Sequence, residues 1–209
     1  AGADSTIFDA EGKNRHFEFY TTQDSTTIIQ GITFKNGKDG DSSGSLYLYQ
    51  NKMSFISCIF ENNTAGGKGG AIRIGGAASP SFESCHFKNN YVKTTSSSSS
   101  NGYGGAIRID EPSTDYTKNN PIKINNTKFS SNYIQSEGSA FGGAVNVQRE
   151  INFTNCVFVK NHATGNTDDI NEDEALGGAI YADNAWYKDL GGNSYQWVGL
   201  DMYIINSTF

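Results

Sequence analysis

The chain has 209 residues and a formal net charge of −6. It contains 24 glycines but only three prolines, and 18% of its residues are charged. Because glycine favours turns over helix interiors, this composition favours β structure. Phosphate recognition needs a clustered basic surface, which this acidic chain lacks, so nucleic acid is not expected as a partner. The apolar runs are too short for a membrane-spanning helix, which needs about 20 residues.

A recurring phenylalanine defines an internal repeat along the chain. Most copies have apolar residues seven and five positions before the phenylalanine and a small residue two positions before it. Spacings of two predict strands with one buried face, and the step of three predicts a bend between two short strands. The six copies are Phe34, Phe60, Phe87, Phe129, Phe158 and Phe209.

Two further segments complete the repeat near the start of the chain. Residues 7–19 are interpreted as a degenerate first coil, and residues 45–49 as the third strand of the second coil. The shortest step between successive phenylalanines, from Phe34 to Phe60, is 26 residues, and longer steps contain loop insertions. We therefore predict about seven coils, the last of them incomplete.

An asparagine follows the phenylalanine by three positions in four of the copies. Asparagine is suited to a turn, where its side chain can bond neighbouring backbone groups. Like residues of successive coils lie above one another in a solenoid, so these side chains are expected to stack as a ladder. They are Asn63, Asn90, Asn132 and Asn161.

The small position before the phenylalanine holds all three cysteines. Cys58 and Cys85 belong to adjacent coils, and a Cα separation of about 5 Å would permit a disulfide. The favoured alternative is a column of buried thiols continued by Thr127 and Ser207. The odd count leaves Cys156 free in either case.

A Gly-Gly-Ala motif opens the third strand of four coils, after a tight corner that the glycines permit. Its next residue is large and apolar, so Ile72, Ile107, Val145 and Ile180 are predicted to point inward. The alanine, as at Ala71, is predicted to face outward or into the corner.

These motifs together predict an all-β fold, a right-handed parallel β-helix that forms a single domain over residues 1–209. Each coil buries little by itself, so stability must come from stacking at the strand spacing of about 4.8 Å. The sequence stops inside a repeat without a capping segment. We therefore expect either a fragment of a longer chain or a subunit that self-associates by end-to-end stacking.

The paired motifs Gly-Gly-Ala-Ile and Phe-x-x-Asn resemble the repeats of the chlamydial polymorphic membrane proteins, over residues 27–209. The resemblance implies a β-helix of the pectin-lyase-like type, displayed on a cell surface and used for adhesion or as a structural stalk. Such a repeat specifies a scaffold more strongly than a function.

Arg73 and Arg108 occupy the same repeat position in successive coils. Such a basic ladder is a candidate site for a carboxylate or sulfate of a glycan, because guanidinium groups bind these anions with two hydrogen bonds. The alternative is pairing with nearby acids on a solvated face.

The acidic insertion at residues 168–174 has a partial calcium-loop spacing at Asp169, Asn171 and Asp173. A solvated acidic loop is the alternative, since the glycine and the distal glutamate of a calcium loop are missing. No other cofactor is expected.

Four Asn-x-Ser/Thr triplets are candidate sites for N-linked glycans and fit an extracellular or cell-surface protein. Their asparagines are Asn62, Asn125, Asn152 and Asn206.

The sequence favours a non-enzymatic structural or adhesive protein, with a host or matrix glycan or protein as a partner, or a subunit of a fibre or stalk. The alternatives are a glycan-binding module and a polysaccharide lyase or hydrolase. The clue for the enzyme is Asn166-Thr167-Asp168 followed by Asp169, which is similar to a galacturonase motif. The remaining motifs of those enzymes are missing and no histidine triad is suggested, so no catalytic residue is predicted.

Overall fold

A computed structural model describes residues 2–20, 24–95, 101–111, 120–165, 175–183, 185–189, 195–199 and 202–209. The strands of successive coils pair in parallel to form five sheets along one axis. The architecture is a right-handed parallel β-helix, as predicted. A separate antiparallel hairpin pairs Ala185–Asp189 with Tyr195–Gly199.

Three six-stranded sheets form the main walls of the helix. The Phe sheet carries the recurring phenylalanines, the Arg sheet carries Arg73 and Arg108, and the Ser sheet carries Ser54 and Ser81. The Phe sheet consists of Ile7–Asp9, Thr33–Lys35, Ile59–Glu61, His86–Lys88, Lys128–Ser130 and Val157–Val159. The Arg sheet consists of Phe17–Phe19, Leu46–Tyr49, Ile72–Gly75, Ile107–Ile109, Val145–Val147 and Ile180–Ala182. The Ser sheet consists of Ile28–Gln30, Ser54–Ile56, Ser81–Glu83, Ile122–Asn125, Ile151–Thr154 and Met202–Ile205.

Two smaller sheets lie between the asparagine turn and the Gly-Gly corner. The repeat did not predict them, because their inward residues vary in size from coil to coil, as between Ala65 and Ile134. The Tyr sheet consists of Lys38–Asp39, Thr64–Ala65, Tyr91–Lys93, Tyr133–Gln135 and His162–Thr164. The short sheet consists of Gly102–Tyr103, Ala140–Phe141 and Ala175–Leu176.

The register of the Phe sheet follows the repeat. Phe34 pairs with Phe60, and Phe60 pairs with Phe87. Phe8 pairs with Phe34 and adds a member that the repeat did not include. At the other end Thr208 bridges to Val157, which makes a seventh layer.

The inward positions of the repeat form one continuous core. In the third coil Met53, Phe55, Cys58 and Phe60 are 0–1% exposed. The phenylalanine rings stack face to face, with the centroids of Phe60 and Phe87 4.8 Å apart. Such burial stabilises each ring by about 2 kcal/mol or more, which is how single coils of marginal stability form a rigid column.

The alanine of the Gly-Gly-Ala motif packs into the core. Ala71, Ala106 and Ala144 are fully buried together with the following apolar residues. The backbone N–H groups of Ala71 and Ile72 both donate to the carbonyl of Ala106, so the chain turns here and strict alternation is interrupted. Of the two orientations predicted for Ala71, the corner orientation is the one observed, and the outward one is wrong.

Bends before and after the Phe sheet use the left-handed backbone region. Ser57 and Asn62 flank one strand of this sheet with φ values of 51° and 56°. Asparagine tolerates this region better than most residues because its short side chain bonds locally. This conformational demand explains why asparagine and serine recur at the bends.

Candidate functional site

The outer face of the Arg sheet carries the arginines that the sequence singled out. Arg73 and Arg108 are register partners on adjacent coils. Tyr47 precedes them in the same outward column, and Asn146 and Tyr181 follow. The column changes in chemistry from coil to coil, whereas the neighbouring inward column stays apolar.

Asp110 bridges the two arginines of this ladder and offsets half of their positive charge. Its Oδ2 lies 2.6 Å from Nε of Arg73, and its Oδ1 lies 2.9 Å from Nε of Arg108. The side chains of Arg73, Arg108 and Asp110 are 22%, 8% and 17% exposed, so solvent screens the pairs only in part. Pairing with an acid is the arrangement that the structure shows, and glycan binding by these arginines stays a prediction.

The remaining contacts of Arg108 are also made within the protein. Its terminal nitrogens donate to Oδ1 of Asn146 and Oε1 of Gln148. Its guanidinium carbon lies 4.6 Å from the ring centroid of Tyr103. Arg108 therefore stabilises the face, and little of it remains for a ligand.

A small open groove lies beside this cluster, with a volume of about 140 Å³. Its walls combine the rings of Tyr103, Phe141 and Tyr181 with the polar side chains of Asn146 and Asp183. Ring centroids of Tyr103 and Phe141 are 5.2 Å apart and stacked. The groove offers ring edges, an amide and a carboxylate, which are groups that hydrogen-bond neutral sugars.

The asparagines after each phenylalanine form a buried ladder. Nδ2 of Asn63 donates to Oδ1 of Asn90 at 3.0 Å, and Nδ2 of Asn90 donates to Oδ1 of Asn132 at 3.0 Å. Asn132 continues the ladder to Asn161 at 2.9 Å. Each amide also donates to a backbone carbonyl of the preceding coil, such as that of Phe60. The ladder is structural, because Asn63, Asn90 and Asn132 are fully buried.

All three cysteines are free and buried. Sγ of Cys58 lies 3.4 Å from the carbonyl oxygen of Ile29, and Sγ of Cys85 lies 3.4 Å from that of Phe55. The hydrogen bond with Cys58, together with burial, raises the pKa of the Cys85 thiol. Burial raises the pKa of Cys156. High pKa values and burial make Cys85 and Cys156 weak nucleophiles.

The four candidate glycosylation asparagines occupy two kinds of position. Asn62 and Asn206 are exposed and lie at left-handed bends, with φ values of 56° and 49°. Asn125 and Asn152 lie on strands of the Ser sheet and are half-buried. The bends present the more accessible amides, and glycosylation at all four stays a prediction.

The predicted calcium ligands Asp169, Asn171 and Asp173 lie outside the described residues, as does Asp168 of the enzyme hypothesis. Within the described ranges, no group of three or more histidine, cysteine or acidic side chains is arranged to hold a metal ion. The described residues also include no helix that is long and apolar enough to cross a membrane.

Sequence reasoning missed Asp110 as the counter-ion of the arginines. The signal was available, because residues two apart on a strand face the same way, and Arg108-Ile109-Asp110 has that spacing. Asn146 and Gln148, which accept hydrogen bonds from Arg108, show the same spacing of two residues in the next coil. Tyr103 and Phe141 gave no such signal, since they lie in the short strands that the repeat did not predict.

Comparison with known families gives one match. Residues 57–77 fit the model of the Chlamydia polymorphic membrane protein repeat. The chain carries this polymorphic membrane protein repeat. The matched segment runs from the bend before Cys58 through Phe60 and Asn63 to the end of the Ile72–Gly75 strand, which is most of one coil. No curated protein and no solved structure matches the chain.

Proposed function

We propose that the chain is a non-enzymatic adhesive scaffold of a cell surface. The polymorphic membrane protein repeat belongs to a surface-associated family, which supports the location. One observation carries the role. Inward positions repeat the same apolar residues from coil to coil, whereas the outward column of the Arg sheet changes from Tyr47 to Arg73 to Asn146 to Tyr181. A constant interior with a varied exterior suits a protein that displays contact surfaces.

Two titratable side chains on the faces of the helix are engaged in structural contacts. Asp110 is paired with two arginines, and His86 donates or accepts at the hydroxyl of Ser130, 2.7 Å away. General acid–base catalysis needs a group with a free proton or lone pair aimed at a substrate. These contacts support a scaffold over a polysaccharide-cleaving enzyme.

Adhesion of coated beads to cultured epithelial cells tests this proposal. Beads that carry the folded chain are expected to bind cells more than beads that carry the heat-unfolded chain at equal density. Equal binding by both bead types, or release of sugars from acidic polysaccharides by the chain, would overturn the proposal. End-to-end stacking into a fibre stays a prediction, which electron microscopy of the purified chain tests.

A second candidate function is the binding of a neutral sugar in the groove of the Arg sheet. The observation that favours it is the combination of Tyr103, Phe141 and Tyr181 with Asn146 and Asp183 around one opening. A glycan array is expected to give a signal that Asp183→Ala abolishes. Asp4→Ala, which removes an exposed acid near the other end of the described helix, is the control and should retain the signal. Absence of any signal overturns this candidate.

A further inference from the structure

The outer face of the Ser sheet carries a second and larger groove, with a volume of about 370 Å³. The described residues that line it include Lys52 and Lys123 and no acidic residue. Both lysines are exposed, and neither forms an ion pair within the described part of the chain. On the Arg sheet, by contrast, both arginines pair with Asp110. The lysines of this groove therefore have no counter-ion among the described residues, whereas the arginines share one.

The register of the Ser sheet places the two lysines at opposite ends of a hydroxyl-lined floor. Ser54 pairs with Ser81, and Ser81 pairs with Lys123 on the next coil. Lys52 stands two residues before Ser54. Strand spacing and rise then put the Cα atoms of Lys52 and Lys123 roughly 12 Å apart. Two flexible lysine side chains can converge over such a span on neighbouring charged groups of one ligand.

The floor supplies hydrogen-bonding groups between the lysines. Oγ of Ser81 donates to Oγ of Ser54 at 2.9 Å, and Oγ of Ser79 donates to the carbonyl of Asn120 at 2.5 Å. In these described contacts Ser54 only accepts, so its own hydroxyl proton has no acceptor. A hydroxyl can donate and accept, so this proton and the serine lone pairs remain for a ligand.

Three acids adjoin the strands of this face, and none of them is among the described residues that line the groove. Oε1 of Glu83 accepts from Nδ2 of Asn126 at 2.6 Å, at the next bend. Oδ1 of Asp24 accepts from the backbone and the hydroxyl of Thr26. Glu150 is buried. Neither lysine of the groove forms an ion pair with these carboxylates, so both ammonium groups can contact a ligand.

We propose that this groove binds an anionic polysaccharide, with Lys52 and Lys123 holding its sulfate or carboxylate groups and the serines hydrogen-bonding its hydroxyls. Protein partners usually anchor through aromatic or large aliphatic side chains. Among the described residues that line this groove, only Pro80 and Pro121 are apolar, so a sugar chain suits it better than an acidic polypeptide. Polysaccharide binding at this groove is a separate proposal from cell adhesion. Either proposal can be overturned while the other stands.

The test is a titration of the chain with a fluorescent heparin-derived octasaccharide at low salt. Lys52→Gln with Lys123→Gln is expected to weaken binding about tenfold, since each solvent-exposed charge contact contributes roughly a factor of three. Lys93→Gln with Lys160→Gln makes the same change in net charge away from the groove and is expected to retain binding. Both lysines of each pair are exposed, so all variants should keep the melting temperature of the parent chain.

Three further probes separate the possible ligands. A desulfated octasaccharide that retains its carboxylates binds if carboxylates are the recognised groups, and fails to bind if sulfates are. A neutral dextran oligosaccharide should not bind. The proposal is overturned if the parent chain does not bind either anionic octasaccharide. It is also overturned if both double variants lose binding equally, or if poly-glutamate binds the parent chain as tightly as the sugars.

Discussion

Oδ1 of Asn90 accepts two hydrogen bonds from Asn63 of the preceding coil, from the backbone N–H at 3.1 Å and from Nδ2 at 3.0 Å. Its own amide donates to the carbonyl of Phe60 at 2.8 Å. The side chain of Asn90 thus provides hydrogen-bond partners for three polar groups of the preceding coil. Because the site is fully buried, water cannot replace these bonds when the side chain is removed.

Asn90→Ala is therefore expected to lower the free energy of unfolding by about 3 kcal/mol, since each unsatisfied buried group costs about 1–3 kcal/mol. Urea denaturation followed by circular dichroism measures this change. Asn152→Ala is the matched control, because Asn152 is half-buried on a strand and its side chain makes no hydrogen bond in the described structure. A loss as small as that of the control would contradict a stabilising ladder.

Substitution of Gly105 tests whether the Gly-Gly corner excludes a side chain. A Cβ at this position would overlap the carbonyl oxygen of Gly143 and meet the backbone nitrogen of Tyr133 at 2.6 Å. Since both neighbours are backbone atoms of tightly stacked strands, they cannot move aside without disturbing two coils. Gly105→Ala is expected to cost roughly 3 kcal/mol or more.

Gly40→Ala provides the control for this substitution, because a Cβ on Gly40 would meet no atom within 4 Å. Its melting temperature is expected to remain within about one degree of the parent chain or to rise slightly. Equal melting temperatures for the two variants would show that the corner tolerates a side chain.

The sequence predicted the stack of coils, because stacking imposes the same inward residue at the same repeat position. Phe60 and Phe87 are in register for that reason. Features set by contacts between different columns were not predicted. Asp110 belongs to a neighbouring outward column and forms an ion pair with Arg73 of the preceding coil. The repeat pattern does not reveal a contact between different columns.

The smaller core behind the Tyr sheet escaped prediction for another reason. It contains Ala65, Val92, Ile134 and Ala140. The inward residue of these strands changes between alanine, valine and isoleucine, so no repeated large side chain marks the position as phenylalanine does in the Phe sheet. Their position became evident only from the pairing of Val92 with Ile134.

The buried cysteines predict a dependence of stability on alkaline pH. The pKa values of Cys85 and Cys156 are raised in the folded chain, so the folded state keeps protons that the unfolded state releases near its ordinary thiol pKa of about 8.5. Their stabilisation is present below that pH and is lost as the pH rises above it. The hydrogen bond with Cys85 lowers the pKa of Cys58 to about 7, and this thiol acts in the opposite direction as the pH rises towards 8.5. The urea midpoint is therefore expected to fall between pH 9 and pH 10.

A variant with Cys85→Ala and Cys156→Ala isolates the contribution of these thiols from other groups that titrate at alkaline pH. Its urea midpoint should fall less over the same interval than that of the parent chain. An independent check is alkylation by iodoacetamide at pH 8, which should be slow in the folded chain and fast in urea. Rapid alkylation of all three thiols in the folded chain would contradict their burial.

Asp110→Asn tests the shared ion pair of the Arg sheet. The substitution retains the size of the side chain but removes the negative charge that Arg73 and Arg108 share, at sites where solvent screens little. We expect a loss of about 2 kcal/mol in the free energy of unfolding. Glu61→Gln is the control, because its partner Lys88 is 44% exposed and such pairs contribute about 1 kcal/mol at most.

The same variant distinguishes a structural ladder from an anion site. With Asp110 replaced by a neutral side chain of the same size, the two guanidinium groups lose their counter-charge, and an added anion can bind beside them. Sodium sulfate should then raise the melting temperature of Asp110→Asn more than that of the parent chain, compared at equal ionic strength with sodium chloride. Because general salt effects act on both proteins, the difference between them reports anion binding at the two arginines. Equal shifts would mean that Asp110 does not keep anions away from Arg73 and Arg108.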